Sequence, residues 1–314
     1  MRLMPLNRAR LRPLGKSLSR RKFLRQLAAS TLLTSVADDD LRAAQSLTGL
    51  VGSNIYGWGQ YAQREGRKVD VQEVLSALRD CGYDDLETNL AIERPEENER
   101  FAEQLKSKGL KPTSLYVGVR LDQEGKAHES VEKILEAAMV CAKSGFAVLS
   151  CNADPIGREK TDQELLTQAT ALTELGKGLK ALGMKLGVHH HTPEMANHAR
   201  EFHYDFDHTN SDLVGWCYDV HWVWRGGVQP LEALGQYGKR VVTWHLRQSR
   251  NGIWWEDLDT GDIDYQAVAD YAREHDLPRR FSVELALENG TKITRSVVEN
   301  HRRSREFVRR VFGT

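Results

Sequence analysis

The sequence is poor in cysteine and in long apolar runs. Its four cysteines are scattered with no paired spacing, so they predict neither a disulfide framework nor a zinc finger. At such positions cysteine is usually a small buried hydrophobic residue. Beyond residue 37, no stretch approaches the roughly 18 consecutive apolar residues that a membrane-spanning helix needs. These absences exclude a small disulfide-stapled scaffold and predict no membrane span in the mature protein.

The chain also lacks a net charge, but its charges are unevenly distributed. There are 44 basic and 44 acidic residues, and residues 1–37 contain nine of the basic ones and none of the acidic ones. The remainder therefore has 44 less 9, or 35, basic residues against 44 acidic ones, a net charge of −9. Because proteins bind nucleic acid through a basic surface, this acidic body predicts that nucleic acid is not a partner.

Residues 1–37 have the features of an export signal. Ser19-Arg20-Arg21-Lys22-Phe23-Leu24 is similar to the twin-arginine signal, and a short apolar stretch follows it. Ser35-Val36-Ala37 then offers small residues at the positions that a signal peptidase reads. An amphipathic basic helix on a cytosolic protein is the alternative. We expect cleavage after Ala37 and a periplasmic or secreted mature protein. The twin-arginine route carries folded proteins, so a metal could be loaded before export.

Apolar runs of strand length alternate with segments of helical periodicity through the rest of the chain. Several helical segments end in a glycine that links them to the next run. This alternation predicts one (β/α)8 TIM barrel over residues 38–314. A doubly wound open sheet would need a glycine-rich phosphate turn after the first strand, and residues 52–57 do not supply one. The expected strands are residues 50–56, 85–90, 112–117, 146–152, 186–191, 217–221, 243–247 and 281–284.

Side chains that bind metals stand at the ends of the last four expected strands. Alternate residues of a strand face the same way, so His189 and His191 should share a face from which His190 points away. The same rule pairs Asp219 with His221, and it pairs His245 with Arg247. Parallel neighbouring strands would bring these ends together at the mouth of the barrel. Imidazoles and carboxylates gathered there form a suitable mixed site for a divalent metal.

These motifs resemble the xylose-isomerase-like sugar phosphate isomerase/epimerase superfamily. Its members include tagatose and psicose epimerases, inosose dehydratase and 3-dehydroshikimate dehydratase. The resemblance covers roughly residues 48–312 and implies the same barrel fold. The motifs that carry it are Gly187-Val-His-His-His191, Tyr218-Asp-Val-His221, His245-Leu-Arg247, Thr260-Gly-Asp-Ile-Asp264 and Val283-Glu284.

The resemblance implies one divalent ion (Mn, Zn, Co or Mg) held by His189, Asp219, His245 and Glu284. Most relatives place glutamate where this chain has His189, and Glu194 could reach in to replace it. In the epimerases the glutamates of strands five and eight are also the two acid/base groups. Only the second, Glu284, is present here, which puts two-base epimerisation in doubt.

The remaining candidate residues surround this expected metal site. Glu284 is the candidate base, and His191 or His221 is the candidate acid that protonates a departing oxygen, since histidine titrates near neutrality. Arg247 is interpreted as a contact to a substrate hydroxyl or carbonyl group, although it could be a solvated basic residue. Four further residues could bind a sugar or could serve only in packing or structural roles: Glu87, Tyr56, Trp58 and Trp222.

The function that the sequence predicts is a divalent-metal-dependent lyase or dehydratase. It would act on a small carbohydrate (a keto-sugar, keto-glycoside or keto-polyol) through an enediolate. The alternatives are a sugar isomerase or epimerase of the same superfamily and a non-catalytic sugar- or metal-binding barrel. A nuclease is also conceivable, but the acidic body argues against it. The absence of a phosphate-binding turn argues against a phosphorylated substrate, and the sequence leaves open whether the protein is a homo-oligomer.

Overall fold

Eight parallel strands form a closed barrel in the computed structural model, which describes residues 49–314. The export signal expected at residues 1–37 therefore lies outside the described residues. Neighbouring strands in the barrel are consecutive along the chain, and the last strand pairs with the first. A short antiparallel hairpin, β8 and β9, follows the seventh strand outside the barrel. The strands are β1 Leu50–Asn54, β2 Asp85–Asn89, β3 Ser114–Val119, β4 Val148–Ala153, β5 Lys185–His189, β6 Val214–Asp219, β7 Val241–Leu246, β8 Ser249–Arg250, β9 Ile253–Trp254 and β10 Arg280–Val283.

Helices surround the barrel and cover the outward side chains of its strands. On the second helix, Val74, Leu75 and Leu78 are buried as the spacing of their apolar side chains predicts. The helices are α1 Ile55–Arg64, α2 Val71–Asp80, α3 Glu96–Ser107, α4 Glu124–Ser144, α5 Asp162–Ala181, α6 Ala196–Asp207, α7 Val220–Arg225, α8 Pro230–Tyr237, α9 Tyr265–Glu274 and α10 Val297–Phe312. This architecture confirms the (β/α)8 barrel. In the part of the chain that the structure describes, no helix is long and apolar enough to cross a membrane.

The strands are buried on both faces, as parallel strands covered by helices must be. All six residues of β4 and of β6 are buried. The interior of the barrel is nevertheless polar towards its mouth, where Ser150 of β4 donates a hydrogen bond to Glu87 of β2. The four cysteines are buried and form no disulfide, as the sequence predicts. The barrel thus places polar side chains inside an apolar shell, at the end where the site lies.

The sixth strand ends two residues earlier than expected, and this changes the position of His221. The sixth strand ends at Asp219, and α7 begins at Val220. The Asp219 side chain accepts a hydrogen bond from the Trp222 backbone N–H at 2.8 Å, which caps the helix. The prediction that strand alternation places His221 on the same face as Asp219 is therefore wrong, because His221 lies in a helix.

Candidate metal centre and active site

A pocket of about 340 Å³ opens at the carboxyl ends of the barrel strands. This is the end at which (β/α)8 barrels carry their active sites. A larger groove of about 690 Å³ lies on the outer surface against α4 and α5, away from the strand ends. The residues that line the pocket at the strand ends are Asn54, Ile55, Tyr56, Thr88, Asn89, Tyr116, His189, His191, Trp222, His245, Arg247, Trp254 and Glu284.

His189, Asp219 and His245 form a compact cluster at the base of this pocket. One ligand-type atom from each lies within 4.8 Å of the other two, and Nε2 of His189 is 3.4 Å from Oδ2 of Asp219. All three side chains are buried, and the ring nitrogens of His189 and His245 make no hydrogen bond of regular geometry, although carboxylate oxygens lie within 3.4 Å of three of them. Buried polar atoms without a regular hydrogen bond are uncommon in folded proteins. Two imidazoles and a carboxylate that converge in this way fit a divalent metal ion.

Glu284 lies beside this cluster, directly after β10. Its Oε2 atom is 3.3 Å from Nδ1 of His245, and its Oε1 atom is 2.9 Å from Nη2 of Arg247. Burial acts to raise the pKa of Glu284, but the charge of Arg247 and the contact with His245 lower it to about 2. The carboxylate is therefore ionised at neutral pH. Its role as a fourth metal ligand remains a prediction, because it stands at the edge of the compact cluster.

Arg247 points into the pocket, on the same side as His245. Its side chain is 3% exposed, and Nη2 is 3.2 Å from Oδ2 of Asp219 in addition to its contact with Glu284. The guanidinium lies 4.4 Å from the ring centre of Trp254 and 5.0 Å from that of Trp222, within the range of cation–π attraction. The structure thus shows Arg247 as a buried cation between two carboxylates, and not as a solvated side chain.

Glu87 lies beneath the pocket and not in its lining. Its Oε1 atom is 2.8 Å from Nε2 of His245, and its carboxylate accepts hydrogen bonds from Asn54 Nδ2 and Ser150 Oγ. Burial acts to raise the pKa of Glu87, but His245 and the hydrogen bond from Asn54 lower it. Burial acts to lower the pKa of His245, whereas Cys217 and Glu87 raise it well above its usual value. Glu87 therefore contacts His245, a member of the candidate metal-binding cluster, from beneath the pocket.

His191 reaches the pocket from the loop after β5. Its Nδ1 atom is 3.0 Å from Oδ1 of Asn152, and its ring lies 4.6 Å from that of His189. Oε2 of Glu194 accepts the backbone N–H of His191 at 2.7 Å. One oxygen of Glu194 thus supports this loop and the other is buried without a hydrogen-bond partner, and Glu194 lies outside the compact cluster of His189, Asp219 and His245.

His190 points out of the barrel, as strand alternation predicts. Its Nε2 atom is 3.2 Å from Oδ2 of Asp205, and its ring packs against Phe202 and Phe206 of α6. The regular geometry of β5 therefore separates adjacent histidines between the site and the packing layer outside the barrel.

Like Glu87, the candidate residues Trp58 and His221 lie outside the pocket lining. The Trp58 indole N–H donates to Ser53 Oγ, and its ring stacks on His301 at 4.2 Å in the packing between α1 and α10. His221 is buried beside Trp224, with a ring separation of 5.3 Å. Both positions follow from helices that begin right after a strand: α1 carries Trp58, and α7 carries His221.

Aromatic side chains form the upper wall of the pocket. Tyr56 and Trp222, two of the candidate sugar-binding residues, line it, and so do Tyr116 and Trp254, which no sequence motif marks. Trp254 belongs to the hairpin, and its backbone N–H donates to Glu288 Oε1 at 2.7 Å. Tyr116 lies on β3, within a run that the sequence marks only as a strand. Neither position carries a local signal of pocket contact, because both depend on which segments the fold brings together.

The fold and the cluster define a class: a (β/α)8 barrel with a candidate divalent metal site at its strand ends. The family described as "Xylose isomerase-like TIM barrel" matches residues 65–311. The chain therefore belongs to the xylose isomerase-like TIM barrel family.

Relatives of known function align with part of the chain. It is 28% identical to an inosose dehydratase of Geobacillus kaustophilus over 199 residues, which are 58% of this chain and 63% of that protein. It is 30% identical to an inosose dehydratase of Clostridium perfringens over 115 residues, which are 36% of this chain and 39% of the relative. The alignments thus span less than two thirds of the length of these relatives.

Solved structures share the fold at low sequence identity. A sugar phosphate isomerase/epimerase from Parabacteroides distasonis has a TM-score of 0.68 at 19% identity, covering 83% of this chain and 94% of that one. A 3-keto-D-glucoside 4-epimerase from E. coli has a TM-score of 0.62 at 14% identity, covering 84% of this chain and 100% of that one. Similarity at this level establishes the shared barrel.

Proposed function

We propose that the protein is a divalent-metal-dependent lyase that eliminates water or an alcohol from a keto-sugar, keto-glycoside or keto-polyol. The observation that carries this proposal is that one carboxylate, Glu284, and one imidazole, His189, occupy the two positions where an epimerase would need two carboxylates. Glu284 is the one carboxylate among the described residues that line the pocket, and an imidazole stands where epimerases of this superfamily have a second acid/base glutamate. Epimerisation removes a proton on one face and returns one on the other, whereas elimination needs one principal base. The similarity to inosose dehydratases supports the same choice.

His189, Asp219 and His245 would hold the metal ion, with Glu284 as the fourth ligand. The ring nitrogens of both histidines, which make no hydrogen bond of regular geometry, support this assignment. When bound, a divalent ion supplies Lewis acidity that polarises the substrate carbonyl and makes the neighbouring C–H bond more acidic. The remaining chemistry is assigned to side chains of the pocket.

Glu284 is the proposed base. The contact with Arg247 at 2.9 Å fixes one oxygen of its carboxylate, and Glu284 is ionised at neutral pH, so it can accept a proton from carbon. Fixing the base in place lowers the entropy lost on reaching the transition state. The Nε atom of Arg247 has no hydrogen-bond partner, which leaves a donor for a substrate oxygen.

His191 is the proposed acid for the departing oxygen. Asn152 engages Nδ1 of His191, which leaves Nε2 for a group in the pocket. Burial lowers the pKa of His191, although Glu194 and Asp219 act against it, and a protonated imidazole with a lowered pKa gives up its proton readily. His221, the other candidate acid, lies outside the pocket lining, so this role falls to His191.

The upper wall of the pocket suits an uncharged carbohydrate. Trp222 and Trp254 present aromatic surface, while Asn89 offers an amide group. Binding sites for small molecules commonly combine an apolar wall with a few polar groups that fix orientation. A free keto-sugar or the sugar part of a keto-glycoside matches this arrangement.

The test of the proposal is elimination by the metal-loaded protein on a panel of keto-sugars and keto-glycosides. We expect an unsaturated or dicarbonyl product from the wild type and loss of at least 1,000-fold in turnover for Glu284→Gln, because an amide cannot accept the proton. Glu103→Gln, on the exposed face of α3, is the matched control and should retain activity. Epimerisation of a free ketose at C3 without eliminated product would contradict the lyase and establish an epimerase. Metal binding without turnover of any substrate would point to a binding barrel.

A further inference from the structure

Arg247 contacts the same carboxylates that the proposed metal ion would use. Its Nη2 atom lies 3.2 Å from Oδ2 of Asp219 and 2.9 Å from Oε1 of Glu284. The Oδ2 atom of Asp219 is also the one that lies 3.4 Å from Nε2 of His189. One carboxylate oxygen therefore faces both the metal cluster and the guanidinium.

We propose that Arg247 competes with the divalent ion for Asp219 and Glu284, and that this competition sets how tightly the site binds metal. The inference rests on the proposed function for the identity of the ligands. A cation that binds Oδ2 of Asp219 approaches a guanidinium held against the same atom. In a buried site, like charges at such distances repel strongly.

The surroundings of Arg247 keep its charge next to the cluster. The rings of Trp254 and Trp222 lie on the guanidinium, at 4.4 and 5.0 Å from their centres. The Arg247 backbone N–H donates to the hydroxyl group of Tyr265 at 3.1 Å. Burial of the side chain and its contacts with the two rings hold the guanidinium next to the cluster, so its charge acts on the site.

The charge balance predicts that removing Arg247 strengthens metal binding but destabilises the metal-free protein. Three buried carboxylates belong to the cluster or lie beside it: Glu87, Asp219 and Glu284. These three carboxylates and Arg247 together carry a net charge of −2, and the three carboxylates alone carry −3. Loss of the guanidinium should therefore strengthen the attraction for a divalent cation. It should also destabilise the protein when no cation is bound, because buried carboxylates are left without a partner.

The experiment measures Mn²⁺ binding and thermal unfolding of the full chain after chelation, with calorimetry for the dissociation constant. For Arg247→Gln we expect Mn²⁺ to bind roughly tenfold or more tightly than to the wild type. The melting temperature without Mn²⁺ should fall, and the increase on adding Mn²⁺ should be larger than in the wild type. Arg225→Gln is the matched control. Arg225 lies against the same two tryptophans but pairs with Glu288, so its loss should leave Mn²⁺ affinity unchanged.

Equal or weaker Mn²⁺ binding by Arg247→Gln would overturn the proposal, and so would the absence of Mn²⁺ binding in every variant. If Arg247→Gln does not fold, Arg247→Lys replaces it. A lysine keeps the charge but lacks the planar fork that reaches two carboxylates, so a smaller gain of about threefold is expected. No gain with Arg247→Lys would equally overturn the proposal. None of these measurements reads turnover, so a failure of the lyase proposal is distinguishable from a failure of this one.

Discussion

His245 stands between two carboxylates, and this position determines what the site can bind. Glu87 approaches its Nε2 atom from below at 2.8 Å, and Glu284 approaches its Nδ1 atom at 3.3 Å. A carboxylate that accepts a hydrogen bond from the other ring nitrogen of a metal-ligating histidine orients the ring and increases its basicity. Glu87 is in the place to act in this way, although it does not line the pocket.

Removing Asp219 should empty the metal site while the barrel stays folded. We expect Asp219→Ala to bind less than about a tenth of the metal that the wild type retains, measured by elemental analysis of the purified protein. The substitution also removes the cap of α7, which should lower stability by about 1 kcal/mol. Asp264→Ala is the matched control, because Asp264 caps α9 in the same way but lies outside the cluster. Full metal occupancy in Asp219→Ala would contradict the assignment.

Replacing His191 should separate the two halves of the proposed elimination. We expect His191→Ala to slow the release of the leaving group by about 100-fold, the usual contribution of a positioned acid. Exchange of the substrate C–H with solvent deuterium should slow much less, because Glu284 performs that step. Mass spectrometry of recovered substrate and product measures both rates. His128→Ala, on α4, is the control, and equal losses in both rates would exclude His191 as the acid.

At the scale of elements, the start of a helix decides which residues reach the pocket. Strand alternation correctly predicts that His189 faces inward and His190 outward, because β5 is regular up to its last residue, His189, and His190 comes directly after it. The same rule fails for His221, because α7 begins one residue after Asp219 and turns the chain away. Trp254 enters the site through the hairpin of β8 and β9, whose position depends on contacts far along the chain. The sequence therefore predicts the fold and the convergence of His189, Asp219 and His245, and it predicts the residues of the pocket wall poorly.

The capping box of α5 offers a test of how a single element contributes to stability. The Thr161 hydroxyl accepts the Glu164 backbone N–H, and the Glu164 carboxylate accepts the Thr161 backbone N–H. We expect Thr161→Ala to lower the free energy of unfolding by about 1 kcal/mol, measured by urea denaturation. Thr170→Ala, at an exposed position in the middle of the same helix, should change it by less than about 0.5 kcal/mol. Equal effects of the two substitutions would show that the box contributes nothing.

At the scale of the whole molecule, charge divides the chain into two parts. Residues 1–37 are basic, and the remainder carries a net charge of −9. The acidic body contains the pocket for which we propose a small, uncharged carbohydrate. We propose that the basic part directs export of the folded, metal-loaded barrel.

Export by the twin-arginine route should depend on both arginines of the pair. We expect the double substitution Arg20→Lys/Arg21→Lys to reduce the periplasmic yield by more than about tenfold, because the pair is the feature that the export machinery reads. Cell fractionation and immunoblotting measure the yield, and the N-terminal residue of the exported protein should be Asp38. The substitution Lys16→Arg keeps the charge and leaves the pair intact, so it serves as the control. Equal periplasmic yields of the wild type and the double variant would contradict the prediction.

The pairing of β1 with β10 has a consequence for how the molecule is assembled. These strands lie about 230 residues apart in sequence, and Ser53 of β1 donates to the carbonyl of Val283 across the junction. The cylinder therefore cannot close until its final strand has been synthesised, and pairing between such distant segments is slow. Until then, β1 and the newest strand each present an open hydrogen-bonding edge, the kind of surface on which chains associate wrongly. Joining the two ends by a short linker and opening the chain at an exposed loop elsewhere would turn this junction into a local contact, so a circular permutant should reach the closed barrel faster than the natural order of strands allows.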